Sequence, residues 1–247
     1  MIISSVSNEK VKYYSKLLRH KKYRDMEGKF VVEGMHLVME ASRSGILEEV
    51  LVLEDEVIPI EVPVLEVTYD VLKKICDVKT PSKIVGLCHK GKNKIVGRRI
   101  LLLDEIQDPG NLGTIIRSAV AFNISSIVVG RNSCDLYSPK VIRGTQGMLF
   151  HIPIIECDLG EVIPKLKEDK IPVLVTNVNY GEDIRKLKRE VKNNFALIMG
   201  NEGNGVNPIY MEEADKAIYI SMNDVVESLN VAVATSIILY ELEVCDE

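Results

Sequence analysis

The sequence predicts an α/β protein of two domains, the second built on a mostly parallel sheet. Hydrophobic residues make up 46% of the chain, yet aromatics are only 5% and there is no Trp. The core is therefore aliphatic, the composition of strands buried on both faces. Short aliphatic runs alternate with helical stretches along the whole chain, which is the pattern of helices packed on a sheet. At 247 residues the chain exceeds a typical single domain, and the stretch from His89 to Lys94 is polar, basic and without hydrophobic periodicity. It reads as a linker and places a boundary near residue 95, dividing the chain into domains 1–95 and 96–247.

Taken in order, residues 7–21 form an amphipathic helix with Val11, Tyr14, Leu17 and Leu18 on one face and Ser7 or Asn8 as N-cap. Strands follow at 30–33, 49–53, 62–67 and 84–88, with helices at 34–42 and 69–76, giving a small α/β sandwich. In the second domain the aliphatic runs 100–103, 127–129, 152–155, 173–175, 196–199 and 217–220 read as strands. Helical stretches at 112–122, 139–146, 159–168 and 229–242 lie between and after them. No internal repeat or low-complexity segment interrupts this order.

The net charge of −5 conceals an asymmetry. Residues 1–99 hold 18 basic against 14 acidic residues, a net +4, and the remainder carries a net −9. The first thirty residues alone hold Lys10, Lys12, Lys16, Arg19, Lys21, Lys22, Arg24 and Lys29 against three acidic groups. That is either a phosphate-contacting arm or a solvated helix face. Five scattered cysteines without a C-x-x-C pair argue against a disulfide framework or structural zinc and favour a reducing, cytoplasmic compartment. The start of the chain lacks the signature of a secretory signal, and the longest apolar run, Val231 to Tyr240, is too short to span a bilayer.

Several catalytic signatures are absent: G-x-x-x-x-G-K-[ST], H-E-x-x-H, G-x-S-x-G, and G-x-G-x-x-G after a strand. P-loop NTPase, zincin, α/β-hydrolase and ordinary dinucleotide dehydrogenase activities are thereby disfavoured. The histidines His20, His36, His89 and His151 are isolated in sequence and read as surface or packing residues. Three strand-to-loop segments carry more polar and glycine residues than connections need. In the first, 103–119, a carboxylate-bearing loop turns at Pro109 and Gly110, with Asn111 expected at the helix cap and Arg117 within the helix. The second, 199–205, places three glycines in six residues around Glu202, where backbone can approach a flat or charged ligand. The third, 220–231, leads into an apolar final helix, with Ser228 or Asn230 as its N-cap.

In this order the three segments resemble the signature motifs of the SpoU class of RNA ribose 2'-O-methyltransferases, of the SPOUT superfamily. D-x-x-x-D-P-x-N-x-G-x-x-x-R-x-A is met from Asp104 to Ala119, G-x-E-G-x-G from Gly200 to Gly205, and E-S-L-N-V from Glu227 to Val231. The first domain is similar to the substrate-binding domain often fused to this class, Phe30 to Gly34 being its most recognisable piece. The resemblance implies a C-terminal α/β-knot domain with a trefoil knot, S-adenosylmethionine as cofactor, a homodimer and no metal. By motif position it assigns cofactor binding to Thr176, Asn177, Gly200, Ile220, Met222 and Leu229. It assigns catalysis and RNA positioning to Asn111, Arg117, Glu202, Ser228 and Asn230.

Two positions depart from the family pattern: Ser221 stands where Pro is usual and Asp224 where Gly is usual. At a positive-φ turn a Cβ at 224 would add strain and weaken cofactor binding. The expected activity is S-adenosylmethionine-dependent methylation of ribose in structured RNA, with ribosomal RNA as substrate. The alternatives are transfer RNA as substrate, or an RNA-binding protein with a degenerate cofactor site. As family proposals make the motif arginine the base, Arg117 takes either that role or an electrostatic one. A guanidinium resists deprotonation near neutrality, which favours a clamp on phosphate and developing alkoxide.

Overall fold

The computed structural model describes residues 2–76, 80–178, 180–187, 189–201 and 203–243. Two compact units emerge: Met1–Lys92 with Asp135–His151, and Asn93–Cys134 with Ile152–Glu247. The sequence placed its boundary near residue 95 and gave everything beyond it to the second domain. The structure divides the chain between Lys92 and Asn93 and returns a later segment to the first unit.

In the first unit, α1 (Glu9–Arg19) is capped by Asn8, whose side chain accepts from the Lys10 N–H, and it buries the expected face of Val11, Tyr14, Leu17 and Leu18. The helix expected over 7–21 is α1, which ends at Arg19, and a second helix that the sequence reading did not name comes directly after it. His20 is extended at φ −124°, ψ 111°, and α2 (Lys21–Glu27) follows it. The break turns Arg24 inward, where its guanidinium donates to the Leu17 and Leu18 carbonyls and pairs with Asp135. Arg24 is thus a buried structural cation. Most of its basic neighbours are also answered: Lys10 by Glu49, Lys12 by Glu9, Lys29 by Glu48, and Lys21 by Asp25.

The sheet of this unit comprises β1 (Lys29–Glu33), β2 (Leu47–Leu53), β3 (Val64–Val67) and β4 (Ile84–His89), with α3 (Met35–Arg43) and α4 (Tyr69–Ile75) between them. Its order is β1-β4-β2-β3, antiparallel except for the β2–β3 pair. The segment Asp135–His151 completes this unit with α6 (Pro139–Thr145). Tyr137 and Phe150 lie beside Phe30, ring centroids 4.7 and 6.2 Å away, and His151 Nε2 is 2.7 Å from a Glu40 carboxylate oxygen.

Among its described residues the second unit holds seven strands: β5 (Arg99–Leu103), β6 (Ser126–Gly130), β7 (Ile154–Cys157), β8 (Val173–Thr176), β9 (Glu182–Asp183), β10 (Phe195–Met199) and β11 (Lys216–Tyr219). All neighbours pair in parallel, in the order β7-β6-β5-β10-β8-β11-β9. β5 and β10 occupy the middle, and Ile100, Leu102, Ala196 and Ile198 are fully buried. Helices α5 (Pro109–Ala121), α7 (Leu159–Glu168), α8 (Arg189–Lys192), α9 (Pro208–Glu213) and α10 (Val231–Leu242) supply the remaining layers. α10 packs along α5, joined by a 2.7 Å hydrogen bond between the Ser118 and Ser236 hydroxyls. Arg99 donates to the Phe122 and Leu242 carbonyls and to Glu243, closing the carboxyl ends of both helices.

Candidate active site

Parallel strands deliver their following loops to one edge of the sheet, where ligands of open α/β folds bind. Here the loops after β8, β10 and β11 meet there and enclose a cavity of about 390 Å³. Val231, Ala234 and Ile238, spaced three and four residues apart on one face of α10, form an apolar wall. No described side chain lining the cavity carries a charge. The first loop is held by Asn177 N–H to the Ile218 carbonyl (3.0 Å) and by the Thr176 hydroxyl to the Ile198 carbonyl (3.2 Å).

The second loop depends on close backbone contact. Asn201 and Gly205 exchange both backbone hydrogen bonds, at 2.9 and 3.0 Å, and Gly205 sits at φ +70°. This folds the chain back onto Gly200, where a Cβ would lie 2.3 Å from the Gly205 carbonyl carbon and the Val206 nitrogen. Only glycine fits there. Thr176, Asn177, Gly200, Ile220, Met222 and Leu229, expected from motif position to hold a cofactor, all line this one cavity together with Ser228. Glu202 lies outside the described residues.

The other candidates form a second group. Asp108 caps α5 through Gly110 N–H (2.7 Å) and Asn111 N–H (3.0 Å), and Pro109 occupies the first helical turn, where its missing donor costs nothing. Asn111 was expected at the cap; it is instead inside the first turn, because Asp108 takes the capping role. Asn230 caps α10 through Ala232 and Val233 N–H and donates to Asn111 Oδ1 at 3.0 Å. Neither asparagine lines the cavity. Arg117, six residues past Asn111 on the same helix, projects from a different face. It is exposed and makes no hydrogen bond or ion pair with another described residue.

The shared bond predicts coupling between the asparagines. Asn230→Ala removes a cap worth about 1 kcal/mol and breaks the bond to Asn111 Oδ1, and Asn111→Ala breaks the same bond, so both single variants are expected to lower turnover. In a double-mutant cycle of log kcat the combined loss is expected to fall short of the sum. Fully additive losses would show that the contact has no part in turnover.

Asp104, at the end of β5, is buried and accepts from the Asn207 N–H at 2.7 Å. Burial pushes its carboxyl above the ordinary range, against the pull of that N–H. A raised carboxyl makes stability fall as pH rises through the folded value. Asn at 104 keeps an acceptor and carries no charge, so Asp104→Asn is expected to hold stability and flatten that decline. Asp104→Ala leaves the Asn207 N–H unpaired and costs about 1–3 kcal/mol. Urea titrations of the two variants between pH 4 and 8 measure both effects.

The SpoU rRNA Methylase family model matches residues 98–240, which include the cavity and all three motif segments. The chain belongs to the SpoU rRNA methylase family. A second model, of the MRM3-like substrate binding domain, matches residues 8–86. Among curated relatives, the 23S rRNA (guanosine(2553)-2'-O)-methyltransferase RlmP of Bacillus subtilis is 37% identical over 246 residues, covering 97% of this chain and 98% of that protein. A solved S-adenosylmethionine-bound rRNA methyltransferase from Sinorhizobium meliloti superposes with a TM-score of 0.86 at 30% identity, covering 98% of this chain and 97% of the other. An RNA 2'-O ribose methyltransferase structure matches with a TM-score of 0.80, also at 30% identity and 98% of both chains.

Against the SpoU pattern, the departure at Asp224 has no backbone consequence. Its φ is not positive, so the strain expected of a Cβ in a left-handed turn does not arise. Ser221 is exposed beside it. Motif reading missed the α10 wall of the cavity, although the spacing of Val231, Ala234 and Ile238 could have revealed it. It also passed over Asn201, whose contacts are made through space.

Proposed function

We propose that this chain methylates the ribose 2'-oxygen of ribosomal RNA, using S-adenosylmethionine. The observation that carries the reading is that two family motif segments, 199–205 and 220–231, meet the loop after β8 around one backbone-lined cavity whose described side chains are uncharged, with the first segment tied to them by the Asn111–Asn230 hydrogen bond. The cavity suits the cofactor: glycine backbone and the asparagine and threonine groups offer hydrogen bonds to a nucleoside, and Leu229 with the α10 wall offers apolar contact. Thr176, Asn177, Gly200, Ile220, Met222 and Leu229 would hold it. S-adenosylmethionine supplies a methyl group already activated by its sulfonium. The remaining work is to position the ribose hydroxyl, stabilise charge on its oxygen and receive its proton. Arg117, free of intramolecular partners among the described residues, is available to clamp an RNA phosphate and stabilise developing alkoxide. Glu202 or water takes the proton, and Ser228, Asn111 and Asn230 orient the groups between. Ribosomal RNA is favoured over transfer RNA by the 23S rRNA methyltransferase of Bacillus subtilis, which is similar over 97% of this chain.

The test is to incubate the protein with labelled S-adenosylmethionine and 23S ribosomal RNA and map the modified nucleotide by resistance to alkaline cleavage. A single methylated ribose is expected. Saturable RNA binding with no cofactor binding at millimolar concentration would favour the degenerate-site alternative.

Homodimerisation and the trefoil knot belong to the same reading. Support for the dimer comes from Val233, Ile237 and Tyr240, exposed on the face of α10 opposite its buried residues. Sedimentation at micromolar concentration is expected to give twice the 27.7 kDa of one chain; a monomer mass would count against the dimer. The meeting of the loops after β8, β10 and β11 around one cavity supports a threaded path. No helix among the described residues is long and apolar enough to cross a membrane, and the cysteine pattern favours the cytoplasm.

A further inference from the structure

We propose that Asn201 is a positioning residue that couples the cofactor loop to the loop carrying the RNA-side residues, and that turnover depends on this tether separately from cofactor binding. The inference rests on the methyltransferase reading above.

Each polar atom of the Asn201 side chain has its own task. Oδ1 accepts from Gly203 N–H at 2.7 Å and Asn204 N–H at 3.3 Å, which holds the turn of the glycine loop from inside. Nδ2 points the other way and donates to the Glu105 carbonyl at 3.0 Å. Glu105 occupies the left-handed region at φ +53°, a conformation that L side chains rarely adopt. Its side chain is held by Asn132 Nδ2 at 3.1 Å. Three residues further on is Asp108, the cap that starts α5 and thereby sets Asn111 and Arg117.

The two loops are also joined by Asp104 N–H to the Met199 carbonyl (2.9 Å) and Asn207 N–H to Asp104 Oδ2 (2.7 Å). Those links anchor the two ends of the glycine loop, at 199 and 207. Among the described residues, the Asn201 tether is the hydrogen bond that reaches the β5–α5 connection from within the turn that lines the cavity. A change in the cavity loop therefore has a direct route, through one hydrogen bond, to the start of the helix that carries Arg117.

The division of labour within one side chain makes the inference testable. Asn201→Ser keeps an acceptor for the turn but is too short to reach Glu105. Asn201→Asp also keeps the acceptor, and it turns an oxygen, not a donor, toward the Glu105 carbonyl. Both variants are expected to bind S-adenosylmethionine within about threefold of wild type by calorimetry, with an unchanged KM for RNA and a kcat lowered at least tenfold. Asn201→Ala, which loses both tasks, is expected to lose affinity as well. Wild-type kcat in the Ser and Asp variants, or a loss of affinity in both equal to the loss of kcat, overturns the proposal. So does a fall of more than ten degrees in both melting temperatures, since the tether would then serve general stability. If the wild-type protein itself neither binds the cofactor nor methylates RNA, the methyltransferase reading fails, and the variants are not what decides it.

Discussion

Arg117→Ala is expected to lower methyl transfer by about 10²- to 10³-fold, the scale of removing one donor aimed at developing charge. S-adenosylmethionine affinity should stay within a few-fold, because Arg117 does not line the cavity. Stability should change by no more than about 0.5 kcal/mol, since the side chain is exposed and no intramolecular bond is lost. Arg117→Lys should not rescue, because an ammonium lacks the planar fork that engages phosphate at two points. Single-turnover kinetics with saturating cofactor measures the effect. Near-normal turnover in the alanine variant would remove Arg117 from the mechanism.

The second large effect is expected at Gly200. A methyl group there meets backbone atoms at 2.3 Å, and backbone cannot rotate aside as a flexible side chain can. Gly200→Ala must therefore push the Gly205–Val206 peptide outward and open the loop that lines the cavity. Overpacking of this kind costs about 1–3 kcal/mol in stability. Cofactor affinity should fall at least about 100-fold, roughly 2.8 kcal/mol at 1.4 kcal/mol per tenfold. Gly203→Ala is the control: among the described residues its Cβ would meet Asn201 Oδ1 at an ordinary 3.5 Å, and binding should change little. Equal behaviour of the two alanine variants in calorimetry would show that the close approach at Gly200 is unimportant.

The parts of the fold that were legible in the sequence are those whose burial leaves a linear trace. β5 and β10 are covered on both faces, so Ile100 to Leu103 and Ala196 to Met199 stand out as unbroken aliphatic runs. α1 showed its buried face through helical spacing. By contrast, β9 is two residues long and α9 buries none of its six, so neither leaves a period to read. α2 left no period of its own, because the basic run of α1 continues through its seven residues. What fixes it in place, Arg24 reaching back to two carbonyls of α1 and across to Asp135, is a matter of contact between distant residues. The site follows the same rule. Glycines mark where backbone must come close, and Gly200 is such a place. The pairing of Asn111 with Asn230 spans 119 positions and no local pattern announces it.

The return of Asp135–His151 to the first unit has a consequence for how the chain is made. Leu136, Tyr137, Val141, Ile142 and Leu149 are buried there, beside a Phe30 that was synthesised more than a hundred residues earlier. A nascent chain that has emerged only as far as residue 95 therefore lacks part of its own first core. By the time that core can close, β5, α5 and β6 are already outside the ribosome, waiting for β7 to β11. The two units must ripen together, not one after the other. Cutting the gene at the apparent linker would yield two damaged halves, the shorter missing a wall and the longer carrying a helix whose buried residues, Val141, Ile142 and Thr145, have lost their core.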